Sequence, residues 1–505
     1  MESSTPFESE SAASRETAAG CESAADGETA AGSSAEIYDW ISGFINMERG
    51  QSFKSFRLDR MKILSELTGH PETCAPAVHT AGSKGKGTVT GMIASILNAA
   101  GISCSVYASP HVMDFRERLS MGKFFFEETI YKAAGSELRR AVDLLVKSRE
   151  PKYSLFDKDS ENGEEPTFFE LMTLWYFLCS RAANVKAMAV ETGMGGRLDA
   201  TNIVDPLASV ITLIELEHTE YLGSTIAAIA GEKAGIIKRN RPVVLAAQQN
   251  DALEVFKKKA EETGSPLYYF PEYCEIKNLA VKKSGTTFSL KLKNPGNGKD
   301  LFYDELKLLL PGRIPAENAA LALLAVKTAF PQIPDSAAVN GLAGFSLPAR
   351  FERLPLKQDF VLDSAHTAAS AQGTMAAFKQ LYGSGGVLIF SCAASKDAAA
   401  MASIYIPNFS KIIITTPGTF KKSFPEEVYK TFKELASRNE NTQQNAGHPE
   451  ILFMPDTEKA LCAALELGNK LRLPILSTGS FYLAGEVMSA LKKHQEFFLT
   501  ENDSQ

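Results

Sequence analysis

The glycine-rich segment HTAGSKGKGT, residues 79–88, holds the residues whose types and spacing most directly suggest chemistry. Backbone N–H groups in a glycine-rich turn between a strand and a helix bind anions, and the helix dipole strengthens that binding. In such a turn Lys86 would place a positive charge on a phosphate, and Thr88 would offer a hydroxyl to Mg²⁺. The usual P-loop has Ser or Thr directly after Gly-Lys, whereas here Gly87 intervenes. The segment therefore indicates either a nucleotide site with an extra glycine or a tight glycine-rich turn.

Polar side chains also stand where other strands are expected to end. Ser109 follows the apolar stretch GISCSVYA, Glu191 ends KAMAVE, and Glu217 and His218 follow ASVITLIEL. Open α/β sheets bind ligands at the carboxyl ends of their strands, so we expect these side chains at one sheet edge. A hydroxyl, a carboxylate and an imidazole could together bind a metal ion. A single His at the end of a strand is more often a capping group than a ligand, and a single Glu near glycines is more often a solvated turn residue.

The elements that would position these residues alternate between strand and helix. Apolar runs bounded by glycine or polar residues resemble parallel strands that are covered on both faces. Their alternation with helical patterns predicts a doubly wound α/β sheet for residues 36–343. The periodicity breaks at a linker, residues 344–349, and a second series of strands and helices predicts a smaller α/β domain over residues 350–495.

Four segments outside this alternation have distinct compositions. Residues 1–35 are rich in Glu, Ala and Ser with one aromatic residue, so we predict a disordered acidic N-terminal extension. The polar residues 148–166 predict a surface loop. Residues 274–294 predict a β-hairpin attached to the sheet, and residues 317–330 predict an amphipathic helix.

Bulk composition narrows the class of protein. The chain has 505 residues and a net charge of −7, which argues against sequence-independent nucleic-acid binding because that needs a basic face. No apolar run reaches the length of a membrane span. The seven cysteines are scattered and lack CxxC spacing, which favours reduced thiols and a cytoplasmic protein.

Nine separate stretches, taken together, resemble the folylpolyglutamate synthase/dihydrofolate synthase family, a branch of the Mur ligases. They are collinear from about residue 36 to 490: HTAGSKGKGT, SPHVMDFRERLSMG, TFFELMT, ETGMGGRLDATN, EHTEYLGSTIAAIAGEKAGIIK, GRIPAENAALAL, LPARFE, LDSAHT and STGSFYLAGEV. The resemblance implies a Mur-ligase-like P-loop domain followed by a smaller Rossmann-like α/β domain. Members of the family have the same extra glycine in the loop, which favours the nucleotide site.

The resemblance also implies which residues bind ATP. The phosphates would be surrounded by the residues of the glycine-rich turn: Gly82, Ser83, Lys84, Gly85, Lys86, Gly87 and Thr88. Asn318 matches a residue that reads the adenine, and Arg350 matches an arginine that contacts phosphate. Asp363 and His366 match residues of the C-terminal domain that close on the nucleotide. The expected catalytic residues are Lys86, Lys233 and His366.

Two Mg²⁺ ions are implied in the same way. Ser109 and Glu191, with Thr88, match ligands of the first ion, and His218 matches a ligand of the second. Lys233 matches a lysine that the family carbamylates, and a carbamate would replace a cation with oxygen ligands. Because carbamylation needs the neutral amine, the site should lower the lysine pKa from its usual ~10.4.

Several positions depart from the family pattern. They are Lys84 for Asn, Glu217 for Asp, Ile314-Pro315 for His-Gln, Ala349 for Gly, Ser364 for Gly, Thr367-Ala368 for Asn-Pro, and Ser395 for Asp. Thr88 also stands for the usual Ser of the loop. Apart from Lys84 and Thr88 the expected nucleotide residues match the family, and the departures open the question of substrate identity and rate.

The implied activity is the ATP-dependent addition of L-glutamate to a folate through an acyl phosphate. The acid would be tetrahydrofolate or dihydropteroate, and we expect polyglutamate extension slightly ahead of dihydrofolate formation. One alternative is a Mur-type ligase of the same fold that acts on another carboxylic acid. Another is a nucleotide-binding module that has lost ligation and serves as a regulator. Against it argue five intact residues: Lys86, Glu191, His218, Lys233 and Asp363. We expect small-molecule partners only, no nucleic acid or membrane, and a monomer.

Overall fold

The computed structural model describes residues 32–47, 57–147, 153, 156, 165–295, 298–418, 421–440 and 449–494. The predicted acidic extension therefore lies outside the described residues up to residue 31. Its last two residues are helical, because the first helix begins at Ser34 with a Ser33–Glu36 capping box.

The predicted surface loop at 148–166 also lies largely outside the described residues. Two of its aromatic residues, Tyr153 and Phe156, are buried in the core beside the long helices of the N-terminal domain. The prediction was wrong for these two residues, because their apolar side chains pack into the core although their neighbours in the sequence are polar.

A seven-stranded sheet forms the centre of the N-terminal domain, with strand order β3-β2-β4-β1-β5-β6-β7. The strands are β1 (Ala77–Ala81), β2 (Cys104–Tyr107), β3 (Leu119–Ser120), β4 (Ala187–Glu191), β5 (Ala208–Ile211), β6 (Val243–Leu245) and β7 (Leu267–Tyr269). All neighbouring strands pair in parallel except β2 and β3. The predicted α/β class is confirmed.

Helices cover both faces of this sheet. They are α1 (Ser34–Ser42), α2 (Asp59–Leu67), α3 (Lys86–Ala99), α4 (Glu128–Lys147), α5 (Phe168–Ala182), α6 (Thr219–Leu222), α7 (Ile226–Ala234), α8 (Asn250–Thr263), α9 (Phe270–Tyr273), α10 (Arg313–Ala329) and α11 (Asp335–Ala343). One core lies between the sheet and α3, α10 and α11, and another lies between the sheet and α1, α2, α4 and α5. Burial on both faces explains why the strands are continuous apolar runs.

The predicted hairpin exists but belongs to a separate sheet. Strands β8 (Cys274–Lys282) and β9 (Gly285–Leu292) pair antiparallel, and β10 (Leu301–Leu308) joins β9 from the other side. Phe288 and Leu290 of β9 pack into the core beside α10. The expectation that the hairpin extends the main sheet was wrong, because β10 supplies its third partner and α10 buries its apolar face.

The C-terminal domain is a six-stranded sheet with order β11-β12-β16-β13-β14-β15, parallel except for the β11–β12 pair. Its strands are β11 (Glu352–Leu354), β12 (Phe360–Leu362), β13 (Gly386–Phe390), β14 (Phe409–Ile414), β15 (Glu450–Phe453) and β16 (Ile475–Thr478). Its helices are α12 (Ala368–Tyr382), α13 (Ala398–Tyr405), α14 (Pro425–Glu440), α15 (Thr457–Leu471) and α16 (Phe481–Leu491). Residues 344–351, between the two domains, contain no helix or strand. The boundaries at 344 and 349 stay predictions.

Candidate active site

The glycine-rich turn connects β1 to the N-terminus of α3. Gly82 has a φ of 146° and Gly85, the N-cap of α3, has a φ of 87°, which are backbone conformations that favour glycine. A Cβ on residue 82 would lie 1.8 Å from Thr212 Oγ1, and one on residue 85 would lie 2.8 Å from Asn318 Oδ1. The turn thus packs against both side chains, and a Cβ at either position would displace one of them.

The turn is held by the loop after β5. The backbone N–H groups of Ser83 and Lys84 both donate to the Leu213 carbonyl, and Ser83 Oγ donates to the Glu215 carbonyl. Lys86 Nζ donates to the Gly82 carbonyl at 3.0 Å. The lysine is therefore folded over the loop, and the N–H groups that would bind an anion are those at the start of α3, since Ser83 and Lys84 already donate to Leu213.

Gly87, the extra glycine, lies beside Glu191. A Cβ on residue 87 would lie 3.2 Å from Glu191 Oε2, tighter than ordinary contact. Glu191 Oε2 also accepts the backbone N–H of Ser109 at 3.3 Å, and the buried Thr88 follows Gly87 on α3. The missing side chain thus lets the carboxylate approach the first turn of the helix, which brings Thr88, Ser109 and Glu191 to one sheet edge.

The chemistry of these donors fits Mg²⁺. Burial raises the pKa of Glu191 to about 7, against the opposing charge of Lys86. Such a buried carboxylate gains from a cation beside it. Within the described part of the chain, no three His, Cys, Asp or Glu side chains form a closed metal cluster. Mg²⁺ commonly takes one or two carboxylates and completes its shell with hydroxyl, water and phosphate oxygens.

Lys233 lies on α7, across the turn from Lys86, and is 1% exposed. Its Nζ donates to the Gly82 carbonyl at 2.8 Å and pairs with Glu217 Oε1 at 2.9 Å. Burial lowers the pKa of Lys233 to about 8. Burial raises the pKa of Glu217, but Lys86 and Lys233 outweigh it and hold that pKa at about 2. His218 follows with an exposed side chain and a left-handed backbone, φ 47°.

A buried polar network beneath the site was missed by the sequence analysis. The Asp199 carboxylate accepts the Met194 N–H at 2.9 Å and the Thr201 hydroxyl at 2.5 Å, and His79 Nε2 lies 2.8 Å from the same hydroxyl. The network ties β1 to the glycine turn after Glu191. The signal was the LDATN segment after that turn, whose polar residues are unusual for a buried position.

The glycine turn after Glu191 also positions α7. The Arg197 N–H donates to the Glu232 carbonyl at 2.8 Å, and Asn202 Nδ2 donates to the Gly235 carbonyl at 3.1 Å. A Cβ on Gly196 would lie 3.0 Å from the Cα of Lys233. The residues around Glu191 therefore also determine where Lys233 lies.

The predicted C-terminal residues cluster at the end of β12. The Asp363 carboxylate accepts the Phe351 and Ala365 N–H groups and the Thr374 hydroxyl. His366 Nδ1 donates to the Ser364 carbonyl at 2.9 Å, which leaves Nε2 as the acceptor of the neutral ring. Burial lowers the pKa of His366 to about 3.

Arg350, in the connecting segment, lies between the domains. Its guanidinium contacts Ser364 Oγ and stacks on the Phe481 ring, 4.4 Å from the ring centroid. It is close enough to Glu191 and Asp363 to interact electrostatically with both. Arg350 thus connects the sheet edge that holds Glu191 in one domain with the β12 end of the other.

Lys396, on the loop after β13, also faces the N-terminal domain. It interacts electrostatically with Glu217 and Lys84 across the cleft, and burial lowers its pKa. No role for this lysine could be predicted from the sequence. Nothing in its ASKD context distinguishes it, because its importance comes from the packing of two domains.

Two cavities lie beside the segment that follows Ser109. The first, of about 270 Å³, lies between the domains and is lined by Pro110, His111, Val112, Met113, Arg118, Pro417, Gly418, Tyr482, Gly485, Glu486 and Ser489. The second, of about 400 Å³, is lined by Ser34, Ala35, Tyr38, His111, Met113, Asp114, Phe115 and Arg116. The first is lined from Pro110, the residue after Ser109, and the second shares His111 and Met113 with it.

Known proteins share this architecture. The chain is 30% identical over 441 residues to dihydrofolate synthase/folylpolyglutamate synthase of Bacillus subtilis, covering 86% of this chain and 95% of the relative. It is 30% identical over 441 residues to folylpolyglutamate synthase of Lacticaseibacillus casei, covering 86% and 94%. The Mycobacterium tuberculosis folylpolyglutamate synthase structure, complexed with ADP and AMPPCP, superposes with a TM-score of 0.77 and 25% identity, covering 90% of this chain and 97% of that one.

A family model, the Mur ligase middle domain, matches residues 141–326. No helix among the described residues has the length and apolar character of a membrane span. The resemblance of separate motifs, the nucleotide-type turn and the full-length similarity agree. The chain belongs to the dihydrofolate synthase/folylpolyglutamate synthase family.

Proposed function

We propose that this chain uses ATP to join the amine of L-glutamate to a carboxylate of a folate. The observation that carries the proposal is the convergence, at one interdomain edge, of the turn with Lys86, the buried Glu191, and His366 and Lys396 of the second domain. In this ligation the acid attacks the γ-phosphate, ADP leaves, the glutamate amine attacks the acyl phosphate, and phosphate leaves.

The nucleotide would lie on the glycine-rich turn. The N–H groups at the start of α3 and the Lys86 ammonium would face its phosphates, since phosphoryl transfer depends mainly on positioning and charge neutralisation. Asn318, which contacts the turn, would lie near the adenine, and Arg350 and Asp363 would approach from the linker and β12. Their positions around one cleft support this assignment.

Two Mg²⁺ ions, when bound, would neutralise the negative charge that accumulates on the transferred phosphate. Thr88, Ser109 and Glu191 would hold the first ion through oxygen atoms. His218 and a carbamylated Lys233 would hold the second. The exposed His218 side chain lies within electrostatic range of Lys86 and Lys233, which supports this assignment.

Carbamylation of Lys233 is consistent with its surroundings. A pKa of about 8 leaves a substantial fraction of neutral amine near neutral pH, and the neutral amine adds to CO₂ with release of one proton. The modification would remove one of two ammonium groups that contact Gly82. It would also place a carboxylate beside Glu217, so that both groups would offer oxygen ligands to a divalent cation.

The interdomain cavity is the proposed acid subsite. Arg118 is buried there and its Nε donates to His111 Nδ1, while Tyr482 and Glu486 lie on the opposite wall. A flat aromatic acid bound in this cavity would point its carboxylate at Ser109 and Glu191. Closing the domains would keep water from the acyl phosphate.

The activity is tested with purified protein, ATP, Mg²⁺ and labelled glutamate, with either tetrahydrofolate or dihydropteroate as the acid. We expect incorporation with tetrahydrofolate, and less with dihydropteroate. Omission of the acid and the Lys86→Ala variant are the controls. Absence of incorporation with both acids, while ATP binding is measurable, would overturn the folate assignment and leave a ligase for another carboxylic acid.

A further inference from the structure

The tip of the β8–β9 hairpin contacts the C-terminal domain, far along the chain from the segment that connects the domains. Lys283 lies in the two-residue turn of the hairpin. Its Nζ pairs with Asp359 Oδ2 at 2.7 Å, just before β12. The small sheet of one domain is therefore joined by an ion pair to the central sheet of the other.

Two further contacts surround this ion pair. Arg353 Nη1, on β11, donates to the Lys283 carbonyl at 2.6 Å, and Arg353 Nη2 lies 3.6 Å from Asp359 Oδ1. Lys283 Nζ also lies 4.9 Å from the centroid of the Tyr382 ring, at the last residue of α12. The tip thus contacts three elements of the C-terminal domain through charge and cation–π interactions.

The contact continues along α12. A Cβ on Gly373 would lie 3.1 Å from Ile314 Cδ1, and one on Gly312 would lie 3.9 Å from Ala377 Cβ. Gly312 is itself bound to the hairpin, because its N–H donates to Thr286 Oγ1 at 2.8 Å. The hairpin and the start of α10 form one surface on which α12 lies lengthwise.

Helix α12 connects this surface to the active site. It has 15 residues and is therefore about 22 Å long. Its N-cap is Thr367, the residue directly after His366. Thr374 of the same helix donates to the Asp363 carboxylate. A rotation of α12 about its C-terminal end would therefore displace both His366 and Asp363 relative to the nucleotide turn.

We propose that the β8–β9 hairpin tip is a docking contact that determines the orientation of α12, with Lys283 and Asp359 as positioning residues. Through α12 the contact places His366 and Asp363 against the nucleotide turn. The expected effect of this contact on kcat/KM rests on the proposed function, whereas its expected effect on the arrangement of the two domains does not.

Charge reversal tests the proposal. The variants are Lys283→Asp, Asp359→Lys and the double variant that carries both changes. We expect each single variant to lower kcat/KM by a factor on the order of five, since exposed ion pairs contribute little individually. In small-angle scattering with an ATP analogue, each should show a larger radius of gyration than the wild type. The double variant should regain most of both properties, and Lys283→Arg should retain them.

Lys291→Asp is the matched control, because Lys291 pairs with Asp300 at 2.8 Å within the same small sheet. It should leave both readouts unchanged, and thermal unfolding checks that all variants are folded. Single reversals with wild-type scattering and kinetics would overturn the proposal, as would a double variant no better than the singles. If the wild type shows no ligation, only the proposed function fails, and the scattering comparison still decides this inference.

Discussion

Two ammonium groups contact one backbone oxygen at the glycine-rich turn between β1 and α3. Lys86 and Lys233 both donate to the Gly82 carbonyl, and Glu217 pairs with only one of them. Like charges in a partly desolvated site repel, so the arrangement favours binding of an anion. A phosphate on the turn, or a carbamate on Lys233, would relieve this repulsion.

Replacing Lys86 tests the phosphate contact. Lys86→Ala should lower kcat for ATP turnover roughly 10²–10³-fold, because a preorganised positive group facing the transferred phosphate is lost. Lys257→Ala, an exposed lysine on α8, is the control and should behave like the wild type. Wild-type ATP turnover in Lys86→Ala would show that this lysine does not face the phosphates.

Replacing Lys233 tests the carbamate. Lys233→Ala should lose ligation, and acetate should restore part of it, because a small carboxylate can occupy the space of the missing carbamate. In the wild type, ¹³C-labelled bicarbonate should give a carbamate NMR resonance that is absent from the variant. Spectra without this resonance, recorded with nucleotide and Mg²⁺, would contradict the assignment.

His79 should make stability depend on pH. Because the Thr201 hydroxyl donates to Asp199, His79 Nε2 must donate to Thr201, and Nδ1 has no partner among the described residues. Burial lowers the pKa of His79 to about 3. Below about pH 6.5 the unfolded chain binds a proton that the native state excludes. Native stability should therefore fall with falling pH, by at most about 1.4 kcal/mol per unit from this group.

The measurement is the midpoint of chemical denaturation between about pH 7.5 and about pH 5. His79→Gln keeps a donor for Thr201 without the titration, so it should lose less stability than the wild type over this range. His70→Gln removes an exposed histidine and serves as the control. Equal losses in the wild type and His79→Gln would contradict the explanation.

At the scale of elements, the glycine-rich turn between β1 and α3 depends on close packing as well as on backbone conformation. Gly85→Ala would pay the strain of a φ of 87° and also bring a Cβ to 2.8 Å from Asn318 Oδ1. Gly101 has a similar φ of 77° with no atom within 4 Å of an added Cβ. A comparison of substitutions at the two positions therefore separates the effect of backbone strain from the effect of the contact with Asn318.

We expect Gly85→Ala to weaken ATP binding at least about tenfold and Gly101→Ala to leave it unchanged. Both variants should lose comparable stability from backbone strain, of about 1 kcal/mol. Calorimetric titration with ATP and thermal unfolding measure the two effects. Similar ATP affinity in both variants would mean that contact with Asn318 does not shape the nucleotide site.

The strand-to-helix turn, the polar strand ends and the second α/β domain could be predicted from the sequence, since local patterns encode them. Strand β10 could not be predicted, because the alternation of apolar and polar residues along it is weak. Its position depends on contacts with β9 and α11. Lys396 and the network of His79, Thr201 and Asp199 were missed for a related reason. Their roles depend on contacts between segments that are distant in the chain.

At the scale of the whole molecule, the two domains provide opposite sides of one cleft. Lys396 and His366 face Lys84, while the linker and the hairpin tip join the domains elsewhere. Binding that spans the cleft should therefore favour a closed arrangement. Small-angle scattering should show a smaller radius of gyration with an ATP analogue and the acid together than with neither. An unchanged radius would contradict closure on ligand binding.

The first cavity has walls from both domains, with Arg118 on one side and Tyr482 and Glu486 on the other. At this proposed acid subsite neither domain alone would enclose the acid, and the proposed nucleotide site spans the same cleft. The two ligands should therefore be coupled through one shared rearrangement. Thermodynamic reciprocity then requires that ATP increase the affinity for the acid by the same factor by which the acid increases the affinity for ATP. Calorimetric titrations of each ligand, with and without the other, would give that factor twice, independently.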